Sequence, residues 1–366
     1  MSALPAVGAS PQRDPAALDA PFALVARQVA DGIAPFAILA IADREGPIRV
    51  EAFPGPDAHV VRPDSLCLLA SITKPIVATG VMQLVAAGEV GLSDPVDRYI
   101  PGFAAAGKPE VTIWHLLTHT SGIPDFDFAE LLRSGVGRTE LLRRSTTASP
   151  AFPPGTRFEY VSSTFDLLAA VVEHVTGEAH AAHLRRAVLA PLGMLDTTFD
   201  PWDLEARLAP LFIALPPGIG PSWIADPRGD DERRAFTALE LAGGGLFGTA
   251  SDLVRFGRAM LRGGELDGTR ILARSFVELM TREQMTGGLG DVGDPILAAH
   301  YGLGWGKPDP RTSPASGSAF GHGGLTGTTL WVDPAHDLVV VYLSGVFGHP
   351  ARPREMVLQA VYSALG

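Results

Sequence analysis

The chain has 366 residues, 46% hydrophobic and 19% charged, enough apolar material for a large core spread over two domains or one domain with a large insertion. That balance excludes disorder. A formal net charge of −11, with no Lys/Arg-rich run to offset it locally, repels phosphate backbones and points away from nucleic acid and anionic membrane as partners.

In chain order, residues 14 to 31 (DPAALDAPFALVARQVAD) carry apolar residues at helical spacing, and PFAILAIADREG with PIRVEAFPG reads as a strand pair. Ser71 then opens a helix that is apolar almost all the way round, with Pro75 in its first turn and Gly88 at its stop. Residues 95 to 200 are short helical patterns cut by Gly and Pro, among them TIWHLLTHTSG, FAELLRSGVG and TFDLLAAVVEHVTG. The Pro/Gly-rich stretch from 205 to 240 reads as irregular, and GGLFGTASDLVRFGRAMLRGG as a turn into a helix. Near the end, GLGWG, TTLWVDPA and DLVVVYLSGV read as strands and REMVLQAVYSAL as a closing helix. This order suggests a mixed sheet built from both chain ends, with residues 12–80 and 238–366 as a discontinuous sheet domain and 81–237 as a mainly helical inserted domain.

The first chemical signal is SITKPIV at residues 71 to 77. Only three lysines occur, Lys74, Lys108 and Lys307, and one of them stands in the first turn of a segment that reads as buried. A buried ammonium is costly unless it is paired, deprotonated or put to use. Ser71 and Lys74, three apart at a helix start, share a face, so a hydroxyl meets a potential proton acceptor beside unpaired N–H groups. Taken alone the pair also fits a capping serine and a solvated helix lysine.

Context decides between these. The stretch LCLLASITKPIVATGVMQLVAAGEVGLSDPVDRYIP resembles the nucleophile region of the serine β-lactamase and penicillin-binding-protein superfamily, above all its class C-like esterases and peptidases. TIWHLLTHTSGIP, FEYVSSTFDLLAAVVEHVTG, PLGMLDTTF, LAGGGLFGTASDLVRFG, YGLGW and GHGGLTGTTLWVDPAHDLVVVYLS follow in the family's order, so the resemblance covers roughly residues 20 to 365. It implies an α/β (α+β) fold of the β-lactamase/transpeptidase type, an antiparallel sheet flanked by helices with an inserted helical domain. It also implies Ser71 as nucleophile, Lys74 as its partner base and Tyr160 as phenolic acid/base, with no metal and no cofactor.

Two motifs depart from the family. Asparagine is absent from the chain, and Ser162 stands where Y-x-N carries it, which removes the amide that recognises amide-bearing substrates. His322-Gly323-Gly324 replaces K-T-G; a largely neutral histidine lacks the fixed charge that grips a substrate carboxylate. By resemblance the Leu325 N–H joins that of Ser71 in the oxyanion hole. Both departures favour small-molecule esters over β-lactams and peptidoglycan stems. The expected reaction is a two-step acyl transfer, with a β-lactamase or D-amino-acid-releasing peptidase as the alternative enzyme and a catalytically silent binding protein as the alternative of another class.

Other signals are weaker. His115 and His119 (HLLTH) have zinc-pair spacing without the glutamate of H-E-x-x-H, so a structural pair is expected. No G-x-S-x-G elbow accompanies GHGG, which excludes the α/β-hydrolase fold. Asp125 and Asp127, near the turn SGIPDFDF, read as solvated or capping groups rather than an acid pair. Cys67, in SLCLLA, reads as a buried hydrophobe. Phe212, Trp223, Trp305 and Phe320 are core or pocket aromatics, and the segments near 205–240 and 286–320 are expected to set substrate choice. No export signal or apolar span is evident, so a cytoplasmic protein without membrane contact is expected; the oligomeric state is left open.

Overall fold

The computed structural model describes residues 15–58, 60–126, 135–215, 223–226, 228–285 and 300–365. Asp127, most of FAELLRSGVG, and the parts of the two substrate segments at 216–222, 227 and 286–299 lie outside the described residues.

A five-stranded sheet frames the molecule. Its strands are β1 (Phe36–Ala42), β2 (Pro47–Pro54), β3 (Phe320–Gly323), β4 (Thr329–Asp333) and β5 (Leu338–Leu343), in the order β2-β1-β5-β4-β3. Both ends of the chain contribute, and every pairing is antiparallel rather than mixed. The near-continuous apolar runs FAILAIA and LVVVYL follow from burial of both faces. In β1, Ala37, Leu39 and Ile41 face one layer while Phe36, Ile38 and Ala40 face the other. Helices α1 (Asp19–Ala30) and α5 (Arg352–Ala364) cover the first face, packing Phe22, Val25, Val357 and Val361 against Trp331 and Val340. Helix α4 (Ala250–Leu261) lies on the second, beside β1, β4 and β5. The edge strand β2 is half-exposed and carries Arg49 and Glu51, which blunt it against pairing with another chain.

Helix α2 (Thr73–Ala86) runs through the core on the second face, with eleven of its residues from Thr73 to Leu84 buried. Its all-round apolar sequence thus reflects a central position, not a failed amphipathic pattern. Helix α3 (Ser163–Thr176) packs against it, ended by Gly177 in the left-handed region at φ 71°. Among the described residues, no helix is long and apolar enough to cross a membrane.

Two expectations need correction. The stretch from 205 to 240 carries strands Phe212–Ala214 and Trp223–Ala225 and a helix, Asp230–Thr237; the first strand pairs in parallel with Val346–Phe347. The helix has three acidic residues in its first turn, Asp230, Asp231 and Glu232, a dipole signal that the prolines before it obscure. GLGWG is not a strand but a turn: Tyr301 bridges Gly306, Gly306 bridges Gly321, and Gly304 sits at φ +78°.

At Gly304 a Cβ would fall 2.6 Å from the Ala78 Cβ on α2, so this turn presses directly on the helix that carries Lys74. Gly304→Ala is expected to destabilise the fold by about 2–3 kcal/mol through overpacking and a left-handed backbone. Urea unfolding measures it, and a loss below about 0.5 kcal/mol, the range of neutral surface changes, contradicts this packing.

Candidate active site

Ser71 lies in a short 3-10 helix, Ala70–Ile72, that runs into α2. Ala70 before it holds φ at 49°, a left-handed conformation that costs a non-glycine residue about 1 kcal/mol. Neighbouring chain fixes that turn. The Leu69 N–H donates to Leu246 O at 2.8 Å, and the hydroxyls of Thr326 and Thr328 donate to Leu68 O and Leu69 O, each at 2.9 Å. Gly324 is where this approach is closest, since a Cβ there would meet Leu69 O at 2.6 Å and Thr328 Oγ1 at 2.1 Å. Only glycine lets the end of β3 lie against the serine turn.

Lys74 is fully buried one turn further on, and its Nζ has three partners: Gly243 O at 2.6 Å, Ser162 Oγ at 3.1 Å and Ser71 Oγ at 3.2 Å. Burial pulls its pKa down to about 7, against the pull of Asp125 and Asp166, whose negative charges favour the ammonium. A neutral amine has two N–H groups and one lone pair. The Gly243 carbonyl can only accept, so it takes one N–H, and the lone pair must face a serine hydroxyl. With Ser162 accepting the second N–H, the lone pair meets Ser71 Oγ–H. This is the arrangement a serine nucleophile requires.

Helix α3 brings the second motif to the same place. The Asp125 carboxylate accepts from the Ser162 N–H at 2.9 Å and the Ser163 N–H at 3.3 Å, which caps the helix start and sets Ser162 against Lys74. The face of the Tyr160 ring lies 4.7 Å from Lys74 Nζ. Asp166, one turn into α3, accepts from the Ala242 N–H at 2.8 Å and so ties the helix to the segment that presents Gly243.

His322 is placed differently from a substrate contact. It is 1% exposed, and its ring turns into the protein. Its Nδ1 faces Gly323 O at 2.8 Å and must carry the proton there, so Nε2 accepts from the Tyr301 hydroxyl at 3.0 Å. Tyr301 OH in turn accepts from His119 Nε2 at 3.3 Å, and His119 Nδ1 accepts from the Val161 N–H at 3.2 Å. Burial, with Lys74 nearby, lowers His322 to about 3 and holds His119 well below its usual value, while burial raises Tyr301 well above the phenol range. The network is neutral. His115 belongs to a separate capping box with Thr112, so the two histidines of HLLTH share no ligand; among the described residues no cluster is placed to hold a metal. Cys67 is buried and its thiol pushed up to about 12, which leaves it protonated and inert.

A cleft of about 240 Å³ opens beside Ser71. Ser162 and Leu325 line it with Ser71, whereas Lys74, Tyr160, His322, Gly323 and Gly324 are not among the residues that line it. The Leu325 N–H donates to no group among the described residues. Phe212, Trp305 and Phe320 are core residues, each at most 2% exposed, and Trp223 packs on Phe212; the apolar wall comes instead from Leu141, Phe236, Leu241 and Phe347. Sequence reasoning missed these, along with Asp166 and the Gly243 carbonyl. The LAGGG motif marked the neighbourhood of Gly243, but an acceptor supplied by the backbone has no residue-type signature.

The chain is similar to several known proteins. Esterase EstB of Burkholderia gladioli is 32% identical over 329 residues, covering 78% of this chain and 78% of that protein. Penicillin-binding protein 4 of Amycolatopsis lactamdurans is 34% identical over 298 residues, covering 78% and 73%. The solved structure described as EstCE1, a hydrolase with promiscuous acyltransferase activity, shares the fold at a TM-score of 0.77 and 23% identity, over 95% of this chain and 99% of that one. A family model described as Beta-lactamase matches residues 23–362 and thus takes in the sheet, the serine turn and both flanking helical layers; the chain belongs to the beta-lactamase family.

Proposed function

We propose that this enzyme hydrolyses carboxylic esters through an acyl-enzyme on Ser71. The observation that carries the reading is the desolvated Lys74 amine, whose lone pair has only serine hydroxyls to face. In the first step Ser71 Oγ bonds to the ester carbonyl carbon as its proton passes to Lys74 Nζ. The amides of Ser71 and Leu325 receive the oxyanion. As the C–O bond to the alcohol breaks, Tyr160 gives the departing oxygen a proton and regains one from Lys74. Water, or a second alcohol, then repeats the sequence on the acyl-enzyme and frees Ser71.

Charge disfavours acyl compounds that carry a carboxylate. Among the described residues no Lys or Arg lines the cleft, and His322 is neutral where penicillin-recognising members carry lysine, so a substrate carboxylate meets no fixed cation among them. The esterase relative is consistent with this, and the penicillin-binding relative keeps a β-lactamase or D-amino-acid peptidase as the second reading. The inserted helical domain, 81–237, then supplies Tyr160 and Ser162, and the sheet domain supplies Ser71 and Leu325. A cytoplasmic location is part of the same proposal.

Three outcomes test it. Ser71→Ala is expected to lower kcat/KM toward p-nitrophenyl butyrate by at least about 10⁴-fold and to abolish fluorophosphonate labelling, with any label mapped elsewhere counting against Ser71. Lys74 accepts a proton only as the neutral amine, so kcat/KM should climb roughly tenfold per pH unit toward pH 7 and level off above it; a flat pH-stat profile across that range would show another base. A chromogenic cephalosporin should turn over at least about 10²-fold more slowly than the ester, in line with the loss of one fixed charge contact; comparable rates would favour the second reading.

A further inference from the structure

The cleft beside Ser71 is lined both by apolar side chains, Leu141, Phe236 and Leu241, and by two carboxylates, Asp125 and Asp166. Asp125 is committed to the structure, since both its oxygens accept backbone N–H groups at the start of α3. Asp166 is only half committed. Its Oδ1 accepts from Ala242 N–H at 2.8 Å, but Oδ2 accepts no hydrogen bond among the described residues, although the side chain lines the cleft and the residue is 6% exposed. Next to it the Ser163 Oγ is also buried without a hydrogen-bond partner among the described residues.

Oδ2 faces the cleft without a protein donor among the described residues, so a ligand N–H that enters there replaces water on a charged acceptor. Among the described residues the fold does not supply a donor: the Lys74 amine is engaged with Ser71, Ser162 and Gly243, and no cation is among the lining residues. A donor that arrives with the ligand completes the site. A neutral hydroxyl could fill one hydrogen bond, but the carboxylate charge, which His180, Arg138 and Lys74 oppose through the field without a hydrogen bond to Asp166, favours a cationic donor.

We propose that Asp166 is a specificity-determining residue that receives a protonated amine on the acyl part of the substrate, so that the preferred substrates are esters of amino-substituted acids with an apolar body. The inference rests on the ester-hydrolase reading for the word substrate, and on the cleft alone for the amine. The apolar side chains hold the body of the acyl group, Asp166 Oδ2 accepts the ammonium N–H, and the carboxylates repel anionic acyl groups.

Binding of n-hexylamine, n-hexanol and hexanoate, measured by calorimetry near pH 8 where the amine is protonated, tests this without turnover. The amine should bind at least about tenfold more tightly than the alcohol, and hexanoate more weakly than either. It should also protect Ser71 from a fluorophosphonate, which locates it in the cleft. Asp166→Asn keeps an oxygen for the Ala242 N–H but loses the charge, and should cut the amine's advantage to below about threefold. Equal or better binding of the alcohol by the wild-type protein, an amine that does not protect Ser71, or an advantage that survives in Asp166→Asn would overturn the assignment. If the variant does not fold, the wild-type ranking and the protection assay decide alone. Hydrolysis of p-nitrophenyl butyrate is scored separately: turnover without an amine preference removes only the role of Asp166, and an amine preference without turnover or labelling removes only the ester reading.

Discussion

The arrangement around Ser71 depends on the removal of one amine from water. Lys74 is held by a hydroxyl from the turn before α2, a hydroxyl from the start of α3 and a carbonyl from the segment before α4. These three segments come from distant parts of the chain, so the site exists only when the sheet layer and the helical layer have closed on each other. Burial lowers the amine's proton affinity, and two carboxylates in its field, neither in contact with it, raise it again. A direct ion pair with either would have kept the ammonium charged and silent. Distance instead leaves a base poised near neutral pH.

The rest of the fold serves to hold that amine and its serine in register. The sheet delivers Gly324 against the Leu69–Ala70 backbone, the threonines after it tie the loop to the serine turn, and Arg354 from α5 donates to Gly324 O at 3.1 Å. A strained Ala70 persists because these contacts outweigh its cost. Behind them, the imidazoles of His119 and His322 stay uncharged, so Lys74 has no second cation as a neighbour. His322 is therefore a structural group, buried, neutral and turned into the protein.

Much of this was legible before any coordinates. The strand pair, the central helix, the terminal strands and the closing helix follow from apolar spacing that burial on one or two faces imposes. Ser71 and Lys74 were visible because a lysine in an apolar run is physically anomalous, and the family resemblance brought Tyr160, Ser162 and the His322-Gly323-Gly324-Leu325 stretch to attention. What stayed hidden has a common cause. The Gly243 carbonyl is backbone, Phe236 and Phe347 reach the cleft only through tertiary packing, and Asp166 looked like any polar residue on an amphipathic helix until its missing partner could be seen. The turn at GLGWG was misread because alternation of glycine with apolar residues imitates a strand, whereas a left-handed Gly304 bends the chain there.

The hydrogen bonds through His119, Tyr301 and His322 run in one direction, from the Val161 amide to the Gly323 carbonyl. Each link settles the tautomer or rotor of the next, which gives this buried wire a polarity. A single replacement breaks the sense of the whole line and strands a polar atom in the dark. In the drift of related sequences such a trio should be kept or lost as a unit, and engineering that ignores this linkage would reach the serine turn from behind.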